Sequence, residues 1–260
     1  MSFFEQYPIT QYNFPNGDLK EIVDYFSQII PVQNYIDESL DYDFYEVIDG
    51  ERPDVVSLNI YGTTEFYWTF FIINDTLKEV PFIWSLSYDE FDKYIKETYD
   101  DKIAICLKPV VELSSEGSYL KTSNTTSVNF SEGDILTGYI SGATGILVSK
   151  ENDMQQLIVK NISGNFIPNE LISSNNSSEF VASYKVYPLS EAPYSYIDDE
   201  GRIISNPYLF DNEPDTNYSF KSYYDFEYER NSQLSKIKVI KPSAMQNFLK
   251  TYKALIDGKF

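Results

Sequence analysis

Carboxylates are the one abundant residue type in this chain that could do chemistry. Asp198-Asp199-Glu200-Gly201 and the group Asp37, Glu38, Asp41 and Asp43 each crowd several oxygen ligands together, the donor set that a hard cation such as calcium takes. Neither spacing matches an EF-hand loop, and a chain with 40 acidic and 20 basic residues produces such clusters as solvated acidic loops. Two facing carboxylates could also cleave a glycosidic bond, but 40 acids offer many pairs and nothing selects one. Histidine is absent. That removes Ser-His-Asp and Cys-His nucleophiles, His-ligated zinc and the commonest general base near neutral pH. Gly138, Gly142 and Gly145 around Ser141 and Thr144 imitate a phosphate loop, yet no Gly-Lys-Ser/Thr follows and turns account for them better. No catalytic, cofactor or metal residue is therefore assigned, and the chain is expected not to be an enzyme.

The bulk composition limits the partners. A formal charge of −20 repels nucleic acid and anionic membrane at long range, so neither is expected to be bound. The opening Met1 to Gln11 has no basic and apolar signal pattern, and no apolar run is long enough to span a bilayer, so a soluble protein made in a cytoplasm is expected. Cys106 lies in the apolar run 103–107 and reads as a buried small hydrophobe. The 23 Tyr and 18 Phe exceed what catalysis needs, and they suit either an aromatic core or protein interfaces, where Tyr is enriched.

Apolar spacing predicts the elements. A short helix capped by Asp18 would carry Ile22, Val23, Phe26, Ile29 and Ile30 on one stripe before Pro31. Tyr42, Phe44 and Val47 fit a strand in part. Pro53 suits a first helical position, with Val55, Val56, Asn59 and Ile60 following at helical spacing and Tyr61-Gly62 ending the helix. Thr63 or Thr64 can cap a second helix to about Ile73, which is apolar almost all round and so must be covered on all sides. Residues 87–99 read as an amphipathic helix and 103–111 as a strand. A strand at 235–240 and a helix from Pro242 to Ile256, ended by Gly258, close the chain.

Between them the composition shifts. Residues 114–183 are rich in Ser, Asn and Gly and alternate short β-type runs with turns, as in a small β-module. The module contains an echo: Phe130-Ser131-Glu132-Gly133-Asp134-Ile135-Leu136 and Phe166-Ile167-Pro168-Asn169-Glu170-Leu171-Ile172 share Phe, two spacers, Gly or Asn, an acid and two aliphatics. From Tyr187 a Tyr- and Asp-rich connection with Pro188, Pro193, Pro207 and Pro214 is expected to have little regular structure. Charge is split as well, since Arg230 to Phe260 holds seven basic residues and one acid on an otherwise acidic body. A basic end on an acidic body suggests electrostatic docking, within the chain or against a neighbour.

Arg52 to Asn74 carries the most specific signal. Helix, Tyr61-Gly62 turn, helix and Asn74 resemble the signature of LysM modules, with Gly62 supplying a left-handed turn and Asn74 a cap for the second helix. Together with Glu51-Arg52-Pro53, Tyr67-Trp68, Asn74-Asp75, Trp84, Phe91 with Tyr94-Ile95, and Ile237-Lys238-Val239-Ile240 before a helix with Phe248, the chain resembles the baseplate wedge family of T-even-like contractile-tailed phages. That resemblance implies an α+β fold: a LysM-like helical hairpin core in residues 1–112 and 187–260, interrupted by an inserted all-β module at 113–186. It implies a virion protein of the tail baseplate, assembled in the host cytoplasm in multiple copies. Such a protein joins wedge subunits to each other around the central hub, with the sheath-initiating subunit a further candidate partner. Tyr67, Trp68, Phe71, Phe248 and Tyr252 are the expected interface residues. LysM modules usually bind N-acetylglucosamine polymers, so glycan binding is the alternative function.

Overall fold

Helices and sheets are mixed, as expected, in the computed structural model, which describes residues 9–14, 18–23, 42–78, 83–107, 114–115, 118–119, 126, 128–207 and 218–256. In chain order these form β1 (Ile9–Asn13), β2 (Leu19–Val23), β3 (Tyr42–Glu46), α1 (Pro53–Tyr61), α2 (Trp68–Ile73), α3 (Tyr88–Tyr99), β4 (Lys102–Leu107), β5 (Ser114–Ser115) and β6 (Ser118–Tyr119). There follow β7 (Ile135–Gly138), β8 (Thr144–Glu151), β9 (Gln156–Ser163), β10 (Leu171–Ser174), β11 (Phe180–Pro188), β12 (Pro193–Asp198), β13 (Ile203–Ile204), β14 (Tyr218–Ser222), α4 (Tyr223–Leu234), β15 (Lys236–Ile240) and α5 (Pro242–Ile256). The chain divides into two compact units, Met1–Asp89 with Arg230–Phe260, and Glu90–Glu229.

The first unit is a strand, two helices and a second strand whose last member arrives late in the sequence. β3 pairs antiparallel with β15, from Tyr42 opposite Ile240 to Glu46 opposite Lys236. On β15 the pattern of exposure alternates, with Ile237 and Val239 buried and Lys236 exposed, as a half-covered strand requires. The hairpin α1–α2 and helix α5 cover it. Trp68, Ile73, Ile240, Met245, Phe248 and Tyr252 form one buried cluster.

The second unit is built on a closed antiparallel barrel of six strands in the order β10-β11-β4-β9-β8-β7. Its interior is aliphatic and aromatic: Ile105, Leu107, Phe130, Leu136, Leu147, Leu157, Val159, Phe166, Ile172 and Val181 among others. Closure leaves no sheet edge for other chains to pair with. The two echoing segments occupy equivalent places in it, 36 residues apart. Phe130 and Phe166 both enter the core, and Gly133 and Asn169 both take positive φ, 89° and 61°. Gly133 N–H donates to Leu147 O and Asn169 N–H to Ser183 O, while Leu147 N–H donates to Asp134 O and Ser183 N–H to Glu170 O. Strands β8 and β11 each carry a register shift, between Leu147 and Ser149 in one and between Ser183 and Lys185 in the other. β7 and β10 pair antiparallel with Thr137 opposite Ser173, so a pseudo-twofold axis runs between them. The third strand of one half is β9, and the matching place in the other half is filled by β4, which precedes both in the chain.

The acid of each repeat is buried and inward-bonded. Asp134 accepts hydrogen bonds from Ser131 N–H (2.9 Å), Ser174 Oγ (2.8 Å) and Asn176 Nδ2 (2.6 Å), and these hold its carboxyl below the usual carboxylate range, the Ser131 amide foremost. Glu170 accepts from Ile167 N–H (2.8 Å), Ile140 N–H (3.1 Å), Ser141 N–H (2.9 Å) and Ser141 Oγ (2.9 Å). Each acid thus ties its own turn to the end of the strand it faces across the axis. The longer Glu170 faces Gly138 and the shorter Asp134 faces Ser174, so side-chain length is complementary at the two sites.

The remainder of this unit packs aromatic side chains. Phe91, Ile95 and Tyr99 lie buried along α3, and Phe91 meets Tyr224 and Tyr228 edge-on. Glu227 is buried and its Oε1 accepts from Tyr94 Oη (3.1 Å) and Tyr99 Oη (2.9 Å). Burial, then the Glu227 charge, pushes the Tyr99 phenol well up.

Several expectations are corrected. The helix placed after Asp18 is a strand over Leu19–Val23, paired with Ile9–Asn13, and Phe26, Ile29 and Ile30 lie outside the described residues. Over its described residues the connection after Tyr187 is regular rather than irregular: β11 continues to Pro188, a 3-10 turn spans Leu189–Glu191, and β12 pairs with both β13 and β14, while residues 208–217 with Pro214 lie outside the described residues. Two of its prolines sit where their missing N–H costs nothing, Pro188 ending one strand and Pro193 starting another. Gly138 and Gly145 lie in strands β7 and β8, leaving Gly142 as the turn glycine. The segment 113–186 lies wholly in the unit 90–229, which also includes 90–112 and 187–229, because β4 closes the barrel between β9 and β11.

Candidate functional site

The helical hairpin follows local rules closely. Pro53 opens α1, where its fixed φ and missing N–H fit, and Gly62 ends it at φ 72°, donating its N–H to Leu58 O at 2.9 Å. Ser57, fully buried, holds the turn from inside: its Oγ donates to Thr63 O (2.7 Å) and accepts from Phe66 N–H (3.2 Å). Thr63 caps as expected, its Oγ1 accepting from Glu65 N–H at 3.3 Å, but what it caps is a 3-10 turn, Thr64–Phe66, and α2 itself starts at Trp68.

Asn74 joins the hairpin to β15. It is 6 % exposed, and its Nδ2 donates to Phe70 O and Lys238 O, both at 2.9 Å, while its Oδ1 accepts from Lys238 N–H at 2.8 Å. One amide thus mimics a strand neighbour to a backbone 164 positions away. Asn231 repeats the device on Leu86, accepting its N–H (2.8 Å) and donating to its carbonyl (3.0 Å). Tyr61 Oη adds a bond to Ile240 O at 2.9 Å, and burial pushes its phenol up to about 12. At the entry to α1, Glu51 accepts from Tyr45 Oη, Ile48 N–H and Asn59 Nδ2, and Trp84 Nε1 donates to Glu51 O. The segments singled out in sequence, Glu51-Arg52-Pro53, Tyr61-Gly62, Asn74, Trp84 and 237–240, therefore converge on one unit.

The expected interface residues separate into two groups. Trp68, Phe248 and Tyr252 are turned inward and pack on one another, with Trp68 to Tyr252 centroids 5.1 Å apart and Phe248 stacked on Tyr252 at 5.8 Å. That corrects their assignment, since a partner could reach them only by opening this core. Tyr67 stays exposed at 38 %, and Phe71 is half-buried against Trp84. Beside Tyr67 lies an open concavity of about 410 Å³ bounded by Arg52, Pro53 and Asp54. Val55 and Leu58, one helical step apart on α1, are exposed at 40 % and 48 %. The buried positions of α1 are Val56 and Ser57; of the four residues at helical spacing, Val56 is buried, Ile60 half-buried, and Val55 and Asn59 exposed. A buried serine facing its own turn does not register as an inward position in a hydrophobic pattern.

The acidic cluster at 198–200 serves a structural turn. Asp198 accepts from Arg202 N–H and Nε and from Glu200 N–H within a turn whose Gly201 has φ 77°, and the Arg202 bonds draw its carboxyl below the usual range. Asp43 is exposed on β3, 4.0 Å from Lys241 of the basic C-terminal stretch, and Asp37, Glu38 and Asp41 lie outside the described residues. Among the described residues no group of three or more His, Cys, Asp or Glu is placed to hold a metal, and no helix is long and apolar enough to cross a membrane. Cys106 is buried and its thiol is pushed up to about 12 by that burial.

The chain matches no known protein-family description, and it matches no curated protein.

Proposed function

We propose that this protein is a structural subunit of a contractile-tail baseplate wedge, acting through protein contacts made by a LysM-like core. The observation that carries the reading is the exposed apolar surface of the hairpin. Val55, Leu58 and Tyr67, with Phe44 at 74 % and Ile48 at 68 %, leave large side chains in water on a unit whose own core is already filled. The strand–helix–helix–strand arrangement of β3, α1, α2 and β15, fastened by Asn74, supports the LysM-like description. Lys236, Lys250 and Lys253 are exposed on the same unit, giving an acidic neighbour subunit complementary charge.

The test is incorporation into particles. In the phage or lysogen that encodes this chain, a triple Val55→Ser, Leu58→Ser, Tyr67→Ser variant is expected to fold normally, because all three side chains are exposed, and to fall at least tenfold in co-sedimentation with tails, a loss typical of one or two interface anchors. Unchanged co-sedimentation would remove the hairpin surface from the assembly. The concavity at Arg52, Pro53, Asp54 and Tyr67 favours glycan binding as the second reading, since an exposed Tyr ring can lie against a sugar. Retention of the purified chain on peptidoglycan, lost on Tyr67→Ala, would favour that reading instead.

A further inference from the structure

One outer face of the barrel differs from the rest of the chain in charge. Charged residues make up 23 % of the sequence, yet 135–149, 161–169 and 171–178 contain none. Register sets which of these side chains point outward. Thr144 lies opposite Thr137, Thr137 opposite Ser173, and Ser173 opposite Phe180, one row across four strands. Ile146 lies opposite Ile135 in the next row. The alternate positions, Leu136, Leu147, Ile172 and Val181, fill the core. Ile135 is 46 % and Phe180 40 % exposed, Tyr139 beyond the end of β7 is 77 % exposed, and Thr137, Thr144, Ile146, Leu171 and Ser173 are half-buried.

The duplication supplies an internal comparison. Outward positions of the two halves correspond as Ile135 with Leu171, Thr137 with Ser173, Thr144 with Phe180 and Ile146 with Ala182. The side chain differs in every pair, and none of the eight is charged. Lack of charge is therefore a property of the face and not of one segment. Glu170, between two of the uncharged segments, is buried, and Glu179 beside Phe180 accepts from Asn129 N–H at 2.6 Å.

Charge also selects the occupant. A basic partner would be held by acids on this face, and an acidic partner of different sequence by lysines, and the face offers neither. A second copy brings its own −20, so the two must meet where both are free of charge, and in a twofold contact one such face serves both copies. Closure of the barrel leaves no edge to pair, so the contact is face to face. Four strands about 4.8 Å apart, each contributing about five residues at about 3.3 Å, give about 300 Å² in projection. That is below the roughly 800 Å² per partner of a standard interface, so the association is of the weak, reversible class.

We propose that two copies of this chain associate through a twofold contact of their β8-β7-β10-β11 faces, with Ile135, Tyr139 and Phe180 as its apolar anchors. The contact uses the barrel unit alone and does not depend on the wedge reading.

Sedimentation velocity of the purified full chain, loaded at about 5–500 μM to suit a weak interface, tests this. The wild type is expected to form a concentration-dependent dimer that tightens as salt is raised, because salt screens the repulsion between two chains at −20 and the face holds no ion pair to weaken. Ile135→Glu sets like charges in the contact and Phe180→Ser removes an anchor. Both side chains are exposed, so each variant should keep the wild-type melting temperature and dimerise at least tenfold more weakly. Ile203→Glu alters an equally apolar, exposed side chain on a different sheet and should dimerise as the wild type does. A wild type that stays monomeric, a dimer that salt weakens, unchanged dimerisation in a folded face variant, or equal weakening by Ile203→Glu would each overturn the proposal.

Discussion

Asn74→Ala is expected to lower the stability of the hairpin unit by about 3–5 kcal/mol, the sum of three buried hydrogen bonds at about 1–1.5 kcal/mol each with further cost from the backbone groups left unpaired. Lys238 would lose both partners of its peptide groups on that side, and Phe70 O would lose one. At 6 % exposure Asn74 leaves little room for water to replace them. Asn74→Asp sharpens the test. It keeps an acceptor for Lys238 N–H but points a carboxylate oxygen at the carbonyls of Phe70 and Lys238, both of which now receive N–H donors. Ionisation is disfavoured there, so the folded-state pKa of that carboxyl is raised above its unfolded value. Stability relative to wild type should then be best below the unfolded carboxyl pKa and fall as pH rises through the folded one. Trp68 and Trp84, the two tryptophans of the chain, both lie in the hairpin unit, so thermal unfolding followed by their fluorescence reports on it directly. A change under 1 kcal/mol in Asn74→Ala would show that Asn74 does not fasten β15 to the hairpin.

The second large effect is at Gly138. A Cβ there would lie 2.4 Å from Ser141 Oγ, 2.6 Å from Glu170 Oε2 and 2.7 Å from its Cδ. Glu170 is 1 % exposed and tied by four hydrogen bonds, so it cannot swing aside without leaving donors unpaired. Gly138→Ser should therefore destabilise the barrel by about 3 kcal/mol or more, combining overpacking with broken bonds. The other half of the barrel shows the remedy, because Ser174 occupies the equivalent position opposite an aspartate. Glu170→Asp should relieve Gly138→Ser, with a coupling of about 2 kcal/mol between the two changes. Hydrogen exchange of the β7 and β10 amides, measured in the single and double variants, reads this coupling. Strict additivity would contradict the side-chain complementarity across the pseudo-twofold axis.

Which parts of this structure were legible in the sequence follows from how far apart the interacting residues are. The hairpin was readable because Pro53, Gly62 and Thr63 act within a few residues of themselves. The repeat was readable because Phe130 and Phe166, and the acids after them, obey the same local rule twice. Pairing of β3 with β15 was not, since both strands are short and some 190 residues separate them, and no local pattern records a partner at that distance. Helix α4 was missed for a different reason. Its covered positions, Tyr223, Phe226, Glu227, Arg230, Asn231 and Leu234, are spaced as a helical stripe should be, but three of the six are polar. Glu227 is satisfied there by two tyrosine hydroxyls and Asn231 by the Leu86 backbone, partners that only the tertiary structure reveals. The interface candidates failed similarly: Trp68, Phe248 and Tyr252 have the composition of an interface anchor and of a core, and the fold uses them as core.

The wedge reading meets its most direct test in a reconstruction of the tail particle from the phage or lysogen that encodes this chain, with an epitope tag to locate it. The account predicts density for the chain in the baseplate wedges, with Val55, Leu58 and Tyr67 against a neighbouring subunit. Particles that lack the chain altogether, or that hold it with this hairpin surface facing solvent, would contradict it.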